Sequence, residues 1–552
     1  HQLVAEWYEH TFADDLSPYY PLLAHHWWQA VAQRQFEPQL VLRAIAALEH
    51  AGEQALRNYA NREAVRFFSQ LLELDRSLDA AQNPTDHRRR AGWEQQLGEA
   101  YQNLGQLVES RAHLERALVL LGQPFPSSPQ ALLAGLAQQV RLQVQHRLRP
   151  TTVQATTPEA RAEALAMAKV YKLLSPLFYV LNQTGALLYT LLQAVNLAER
   201  AGPSRELAEA YAGMCIAAGI IPLHNLAETY AQLAETTARA SGSPHTLGFV
   251  LSRVSIYYMG TGKWEKLDQG CEQAQGIFAQ LGDWTRRGES LAIWRSSLER
   301  RGAFAQGNKL TEELDSMARR VNHTQHQVWA RAQRASNAFY SGQPALAIEH
   351  AEMVLAMLAD SSIADLPPVI IAHGLIARAQ VLQGNYTAAR AAADAAAAYM
   401  LKSSRPVAST LGGLIGMTEA YIRLWAKARA AHDRSAAELQ TQARQACRIF
   451  QRFARVYPVA QPSFWLYQGH YAQVAGRSAQ ASQAWQKAWL FGQQLAMPYE
   501  QALAHFELGF HSPAHDPMRR LHLTHARDLF ATLGVEYDLQ RTERVLQGTM
   551  VQ

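Results

Sequence analysis

The feature that most constrains this chain is a glycine that returns at a nearly fixed distance between helical stretches. From Pro158 onward, such glycines stand at Gly219, Gly262 (GTGKWEKL), Gly302 (RRGAFAQG), Gly342 (SGQPALAI), Gly384 (QGNYTAAR) and Gly476 (AGRSAQAS). Neighbours from Gly219 to Gly384 lie about 40 to 43 residues apart, a spacing that belongs to helical-pair arrays. The longer gap to Gly476 holds an unmarked turn, expected near Ala430–Arg434. Small residues follow the turns at a packing offset: Ala347 and Ala351, Ala389 and Ala393, Ala481 and Ala488. A two-helix unit cannot bury its own apolar stripe, so self-similarity at a fixed period predicts a stack of hairpins, an all-α solenoid.

Composition agrees. The chain has 552 residues, too many for one ordinary core, and 48% are apolar, which excludes disorder. Ala, Leu, Gln, Arg and Glu dominate, and these are helix formers. Alternating Val/Ile/Thr runs are missing, so strands are not expected. Cys215, Cys271 and Cys447 are far apart and odd in number. That fits a reducing compartment, and the expected location is cytoplasmic. A net charge of +5 is weak over this length, and no apolar run reaches the length of a membrane span.

In chain order, residues 1–80 read as a helical block, with Pro18, Pro21 and Pro38 at helix starts and Asn61 as an N-cap. Residues 79–90, with Asn83-Pro84 and the run Arg88–Arg90, read as a connector. Residues 81–150 hold a helical hairpin and a junction helix from about Ala131 to Leu148, read as amphipathic. The loops GQPFPSSPQ (122–130) and RPTTVQATTPE (149–159) flank that helix as expected joints. Residues 151–552 form the repeats of about 40, closed by a capping helix, DLQRTERVLQG. The chain starts at His1 already in helical periodicity, as an excised segment would, and whatever catalytic domain the full protein has is expected upstream.

The hairpin at Trp93–Gly122 carries the most specific local pattern. Leu97, Gly98, Tyr101 and Leu104 share one side of its first helix, and Ala112, Leu114, Ala117, Leu118 and Leu121 line the second. Gly98, Ser110 and Ala117 are small enough to let the backbones approach. The pattern resembles a tetratricopeptide (TPR) repeat, with Trp93 one residue before the usual aromatic position. Two further stretches, AEWYEHTFADDLSPYYPLLAHHWWQA followed by AGEQALRNYANREAVRFFSQLLEL, and LQAVNLAERAGPSRELAEAYAGM (192–214), resemble the region after the ATPase in large bacterial signalling proteins. Those proteins join a class III adenylate/guanylate cyclase or a kinase to an AAA-type, STAND-like ATPase and a TPR array. The resemblance implies a TPR-like helical-hairpin solenoid wound as a right-handed superhelix. It also implies a sensor or partner-binding arm that regulates an ATPase or cyclase in the same polypeptide.

No chemistry-bearing motif competes with this reading. MGTGKWEK (259–266) lacks the Ser/Thr and the preceding strand of a phosphate loop, and reads as a repeat turn. LGGLIG (411–416) reads as helix-packing glycines. His505, His511, His515, His522 and His525 cluster near the end, with Asp516 and Asp528 nearby, but read as packed or solvated histidines. His25 and His26 are adjacent on a helix, about 100° apart, an awkward pair for one ion. The pairs Arg286-Arg287, Arg300-Arg301, Arg319-Arg320 and Arg519-Arg520 alternate with acids and read as solvated helix surface. No polar pair recurs at one offset, so one-base-per-repeat RNA reading is not expected. No catalytic residue, metal or cofactor is expected.

A solenoid of this kind usually acts through its concave groove. In TPR register the groove-facing residues are Gln95, Glu99, Gln102 and Asn103 in the hairpin, and Trp329, Phe339, Arg378 and His470 in later repeats. Lysine is missing at those offsets, which disfavours a peptide-carboxylate clamp. The expected partner is a protein or small effector in the groove, with no membrane role. The alternative is a passive oligomerisation scaffold, and a metal-dependent or nucleic-acid-binding module is less favoured.

Overall fold

The computed structural model describes residues 1–33, 37–58, 60–80, 86–148, 157–181, 183–359, 366–402 and 407–548. Asn83-Pro84 and positions 149–156 of the second expected joint lie outside the described residues. Those described contain 26 α-helices, three short 3-10 turns and no strand. The fold is an all-α, TPR-like array of helical hairpins in two compact units, residues 1–210 and 211–552.

Unit 1 holds α1 (Gln2–Thr11), α2 (Tyr20–Ala32), α3 (Pro38–Arg57), α4 (Asn61–Ala80) and α5 (His87–Asn103). It continues with α6 (Leu107–Leu120), α7 (Pro129–Leu148), α8 (Pro158–Val180), α9 (Thr184–Ala201) and the start of α10 (Arg205–Ile220) up to Ala210, the rest of that helix belonging to unit 2. Its leading core gathers Trp27, Ile45, Leu48, Phe68, Leu71, Trp93 and Leu97. The α5–α6 hairpin packs tightly because Gly98 has no side chain. A Cβ there would lie 2.8 Å from Leu114 Cγ, and the Ser110 hydroxyl donates to the Gly98 carbonyl at 2.8 Å.

Three expectations in unit 1 need correction. Arg88–Arg90 belong to the first turn of α5, not to a connector, because Asp86 caps that helix by accepting from the Arg88 N–H. Arg89 then reaches Glu49 and Arg90 reaches Asp75. Ala112 is exposed on α6, one side-chain direction away from the buried row at Leu114, Ala117 and Leu118. Finally, α7 is amphipathic the other way round. Its buried side chains are Gln139 and Gln143, while Leu133, Val140, Val144 and Leu148 are exposed. The inward face is held by polar contacts: Gln143 to Asn196 and Glu199, and Asn196 to Gln139 at 2.7 Å, with His146 and Arg147 on the Glu199 carboxylate.

Unit 2 is itself an array of helical hairpins. Its helices are α11 (His224–Ala240), α12 (Pro244–Thr261), α13 (Trp264–Leu281), α14 (Trp284–Arg300), α15 (Phe304–Arg320) and α16 (Thr324–Tyr340). Next come α17 (Pro344–Ala359), α18 (Leu366–Leu382), α19 (Tyr386–Lys402), α20 (Leu411–Ala430) and α21 (Ala436–Val456). The last are α22 (Gln461–Val474), α23 (Ser478–Gln494), α24 (Pro498–His511), α25 (Pro517–Leu533) and α26 (Glu536–Leu546).

The true unit of repetition is one helix and its turn. Positive φ angles recur every 20 residues at Gly242, Gly262, Gly282, Gly302, Asn322 and Gly342, so the hairpin repeats at twice that step. Glycine supplies this left-handed turn without a Cβ clash, and Asn tolerates it. Helices of 16 to 18 residues explain why the hairpin is longer than the roughly 34 residues of a standard TPR. One assigned turn is misplaced: Gly219 lies inside α10, against the Tyr257 ring, and the turn follows Ile220. The turn near Ala430–Arg434 falls between α20 and α21 as expected.

The first helix of each hairpin is the inner one. Buried residues fill most of α12, α16, α20 and α24, but only a single stripe of α13, α17 and α19. Within unit 2 the inner ends of early repeats also meet late ones. A Cβ at Gly302 would lie 2.4 Å from Leu533, and the Tyr340 and Tyr499 rings are 5.2 Å apart. LGGLIG is the tightest helix crossing described: Gly413 and Gly416 of α20 touch the backbone of Ile370 and Gly374 of α18. MGTGKWEK is the end of α12, a left-handed glycine and the start of α13. Among the described residues, no helix is long and apolar enough to cross a membrane.

Candidate functional site

The inner faces of α12, α14, α16 and α18 bound a cavity of about 480 Å³. Its remaining wall comes from the segments that lead into α20 and α22, at Val407–Ser409 and Val459. Inner helices are buried from two sides, so their middle residues alternate between hairpin core and cavity. Ile256, Met259, Ile293, Trp329, Pro368 and Ile371 give the wall an apolar character. The size and lining are those of a small-molecule site, which is mostly apolar with few polar groups.

The polar groups collect on α14 and its neighbours. Arg295 is buried, pairs with Glu299 one turn on, and donates to the Gln333 carbonyl and to Asn337. Burial alone would raise the Glu299 carboxyl, but Arg295 and then Arg300 hold it below the usual carboxylate range. Glu289 is similar: Arg253 and Arg286 outweigh its burial and keep it ionised. Beside it, burial reinforced by His323 pushes His326 down to about 4, so that imidazole is neutral at pH 7.

Deeper in unit 2 lies a paired polar layer. Arg378 binds Glu419 at 2.6 Å and lies 4.4 Å over the Phe339 ring, while the Tyr467 hydroxyl donates to the same carboxylate at 2.8 Å. Glu507 sits 3.3 Å from both His470 and His511, and Tyr499 donates to Asp538 at 3.0 Å. Glu500 is pushed by burial up to about 7, against the pull of Arg300, and accepts from Ser463.

The expected groove residues are dispersed. Trp329 lines the cavity, half-buried. Phe339 and Arg378 are buried together in the paired layer, and His470 is half-buried against Glu507. In unit 1, Gln95 is buried and Glu99 half-buried; Gln102 donates to the Leu173 carbonyl and Asn103 to Asn61. Sequence reasoning missed Arg295, Glu299 and Arg300. The pair Arg300-Arg301 is not plain solvated surface: Arg301 binds Asp268 at 2.7 Å, while Arg300 turns into the cavity. Arg300 is the last residue of α14 and Arg301 its C-cap, so the two side chains leave the helix end in different directions.

The histidines come closer than their spacing suggests. His505 meets His522 with a Nδ1–Nδ1 separation of 2.8 Å, and His525 stands edge-on to it. Asp516 caps α25 and Asp528 pairs with Arg527, rather than joining a ligand set. At the other end His1 approaches His26, and one nitrogen each of His1, His25 and His26 lies within 4.8 Å of the others. Adjacent side chains on a helix can thus converge when a third ring sits between them.

No family model matches the chain, and no curated protein matches it. Solved structures that are similar include the Cut9–Hcn1 hetero-tetramer of APC/C: identity is 11%, TM-score 0.47, with 95% of this chain and 87% of that one covered. A Rap protein complexed with competence and sporulation factor is 11% identical, with TM-score 0.35 and 84% and 98% covered. The human IFIT1 dimer with PPP-AAAA is 14% identical, with TM-score 0.39 and 75% and 91% covered.

Proposed function

We propose that this chain is a non-catalytic, effector-binding repeat region in the cytoplasm, and that it regulates an AAA/STAND-type ATPase or nucleotide cyclase in the same polypeptide. The observation that carries the reading is the cavity on α12, α14, α16 and α18. Its wall draws on four successive hairpins and on two segments from later ones. A ligand filling it bridges all of them, and so favours one curvature of the array over another. Binding shifts output only through that difference in affinity. The test uses the full polypeptide and Ser296→Trp, which places a large ring in the cavity from a position whose hydroxyl bonds only within α14. The variant should abolish thermal stabilisation by ligands found in a small-molecule screen, and should freeze ATPase or cyclase output at one level. Ligand response identical to the parent would sink the idea.

A second reading is an interaction scaffold, favoured by the outward row Leu133, Val140, Val144 and Leu148 on α7. Monomeric soluble proteins rarely expose such contiguous apolar faces. Light scattering of the parent against Leu133→Glu/Val144→Glu decides it: a mass that falls in the variant supports assembly, and a monomer in both removes it.

A further inference from the structure

We infer that the cavity takes a small amphipathic anion, with the apolar body against Trp329 and Ile371 and one carboxylate, sulfonate or phosphate seated on Arg300. The inference rests on the reading of the cavity as an effector site. It starts from a charge inventory of the wall. Five charged side chains line it: Arg253, Arg295, Arg300, Glu289 and Glu299. Arg253 stands 3.7 Å from Glu289, and Arg295 pairs with Glu299. That leaves Arg300, which makes no ion pair or hydrogen bond among the described residues.

The guanidinium is half-buried beside apolar atoms and feels Glu299 and Glu500 only without direct contact, so its donors are left open to a matching anion. Arginine offers a planar fork that fits the two oxygens of such groups. Space for them exists: Gly412, which also lines the cavity, faces an Arg300 terminal nitrogen, and even an added Cβ would stand 3.8 Å from it. Glu500 senses Arg300, yet its carboxyl lies beyond ion-pair distance and takes its hydrogen bond from Ser463. A cationic ligand would meet a net positive wall, and a neutral apolar one would leave the guanidinium unpaired under it.

Two fluorescent probes with the same rings separate the terms: 1-anilinonaphthalene-8-sulfonate, which is anionic, and N-phenyl-1-naphthylamine, which lacks the sulfonate. Titrations use the full chain, its Arg300→Gln and Arg300→Lys variants, and Ser296→Trp, with circular dichroism to verify folding. The anionic probe should bind at least tenfold more tightly. Arg300→Gln should bring it to the level of the neutral probe, leave the neutral probe within twofold, and Arg300→Lys should recover part of the loss. Equal affinities in the parent, or equal weakening of both probes by Arg300→Gln, overturn the anion assignment and leave the cavity intact. If Ser296→Trp leaves both probes bound as before, the cavity reading itself fails.

Discussion

The Trp264 indole N–H donates to the Leu495 carbonyl oxygen at 2.6 Å, across 231 residues of sequence. Around it, Arg301 lies 5.7 Å over the Trp264 ring, and a Cβ on Gly262 would lie 2.8 Å from the Leu495 side chain. An early repeat of unit 2 is thereby tied to a late one, an arrangement that nearest-neighbour stacking alone does not produce.

Trp264→Phe keeps an aromatic ring, though a smaller one, and removes the donor. Losing the bond to this half-buried carbonyl should cost about 1 kcal/mol in urea unfolding. Amide exchange should accelerate together at Tyr258–Trp264 and at Gln493–Met497. Acceleration confined to the first segment would mean that the bond does not couple the repeats.

The Arg378–Glu419 pair is buried on both sides and shares its carboxylate with Tyr467. Burial opposes both charges, but their attraction outweighs it, and holds Arg378 protonated and Glu419 ionised. Removing one partner strands the other, so Arg378→Met should cost about 3–5 kcal/mol. Arg378→Met/Glu419→Gln should cost less than that single change. A double variant that is as unstable as the sum of the singles would show the two residues to act independently.

These contacts mark where sequence stops being informative. Hairpins were legible because their turns need a left-handed residue and glycine is its usual solution. The same requirement is met without glycine at Asn322, His432 and Ala496, with φ near +50°, so every second turn went unmarked in places. Gly219 misled for the converse reason: it relieves contact with Tyr257 inside a helix, which a sequence cannot distinguish from a turn. The cavity was legible only through Trp329. Inner helices are buried from two directions, so apolar periodicity no longer separates core from groove, and Arg300 and Arg301 look alike. On α7 the pattern was visible but its direction was not, because polar pairs on Asn196 and Glu199 hold the inward face.

Glu500 gives a pH signature. Its carboxyl has a pKa of about 7 in the fold against 4.5 when unperturbed, so between those values the native state binds more protons than the unfolded chain. Its contribution is fully present below about 4.5 and is lost as pH rises through about 7, a span on the order of 3 kcal/mol. Glu500→Gln cannot titrate. Its stability relative to the parent should therefore rise between pH 5 and pH 8 and level off above. A difference that stays constant across that range would show that the carboxyl ionises normally.

The same substitution should have opposite signs at two helical glycines of unit 2. Ala is preferred over Gly in a helix interior by about 1 kcal/mol. At Gly276 of α13 an added Cβ meets nothing within 4 Å, so Gly276→Ala should stabilise by roughly 0.5–1 kcal/mol. At Gly413 of α20 the Cβ would fall 2.4 Å from the Ile370 carbonyl oxygen. The obstacle is backbone, so no rotamer change relieves it, and α18 and α20 must separate. Overpacking of this kind costs about 1–3 kcal/mol or more, which exceeds the propensity gain. Gly413→Ala should therefore lower the urea midpoint while Gly276→Ala raises it. It should also weaken probe binding, because Gly412 and Ile371 reach the cavity from these two helices. A Gly413→Ala midpoint equal to or above the parent's would mean that the crossing has room to spare.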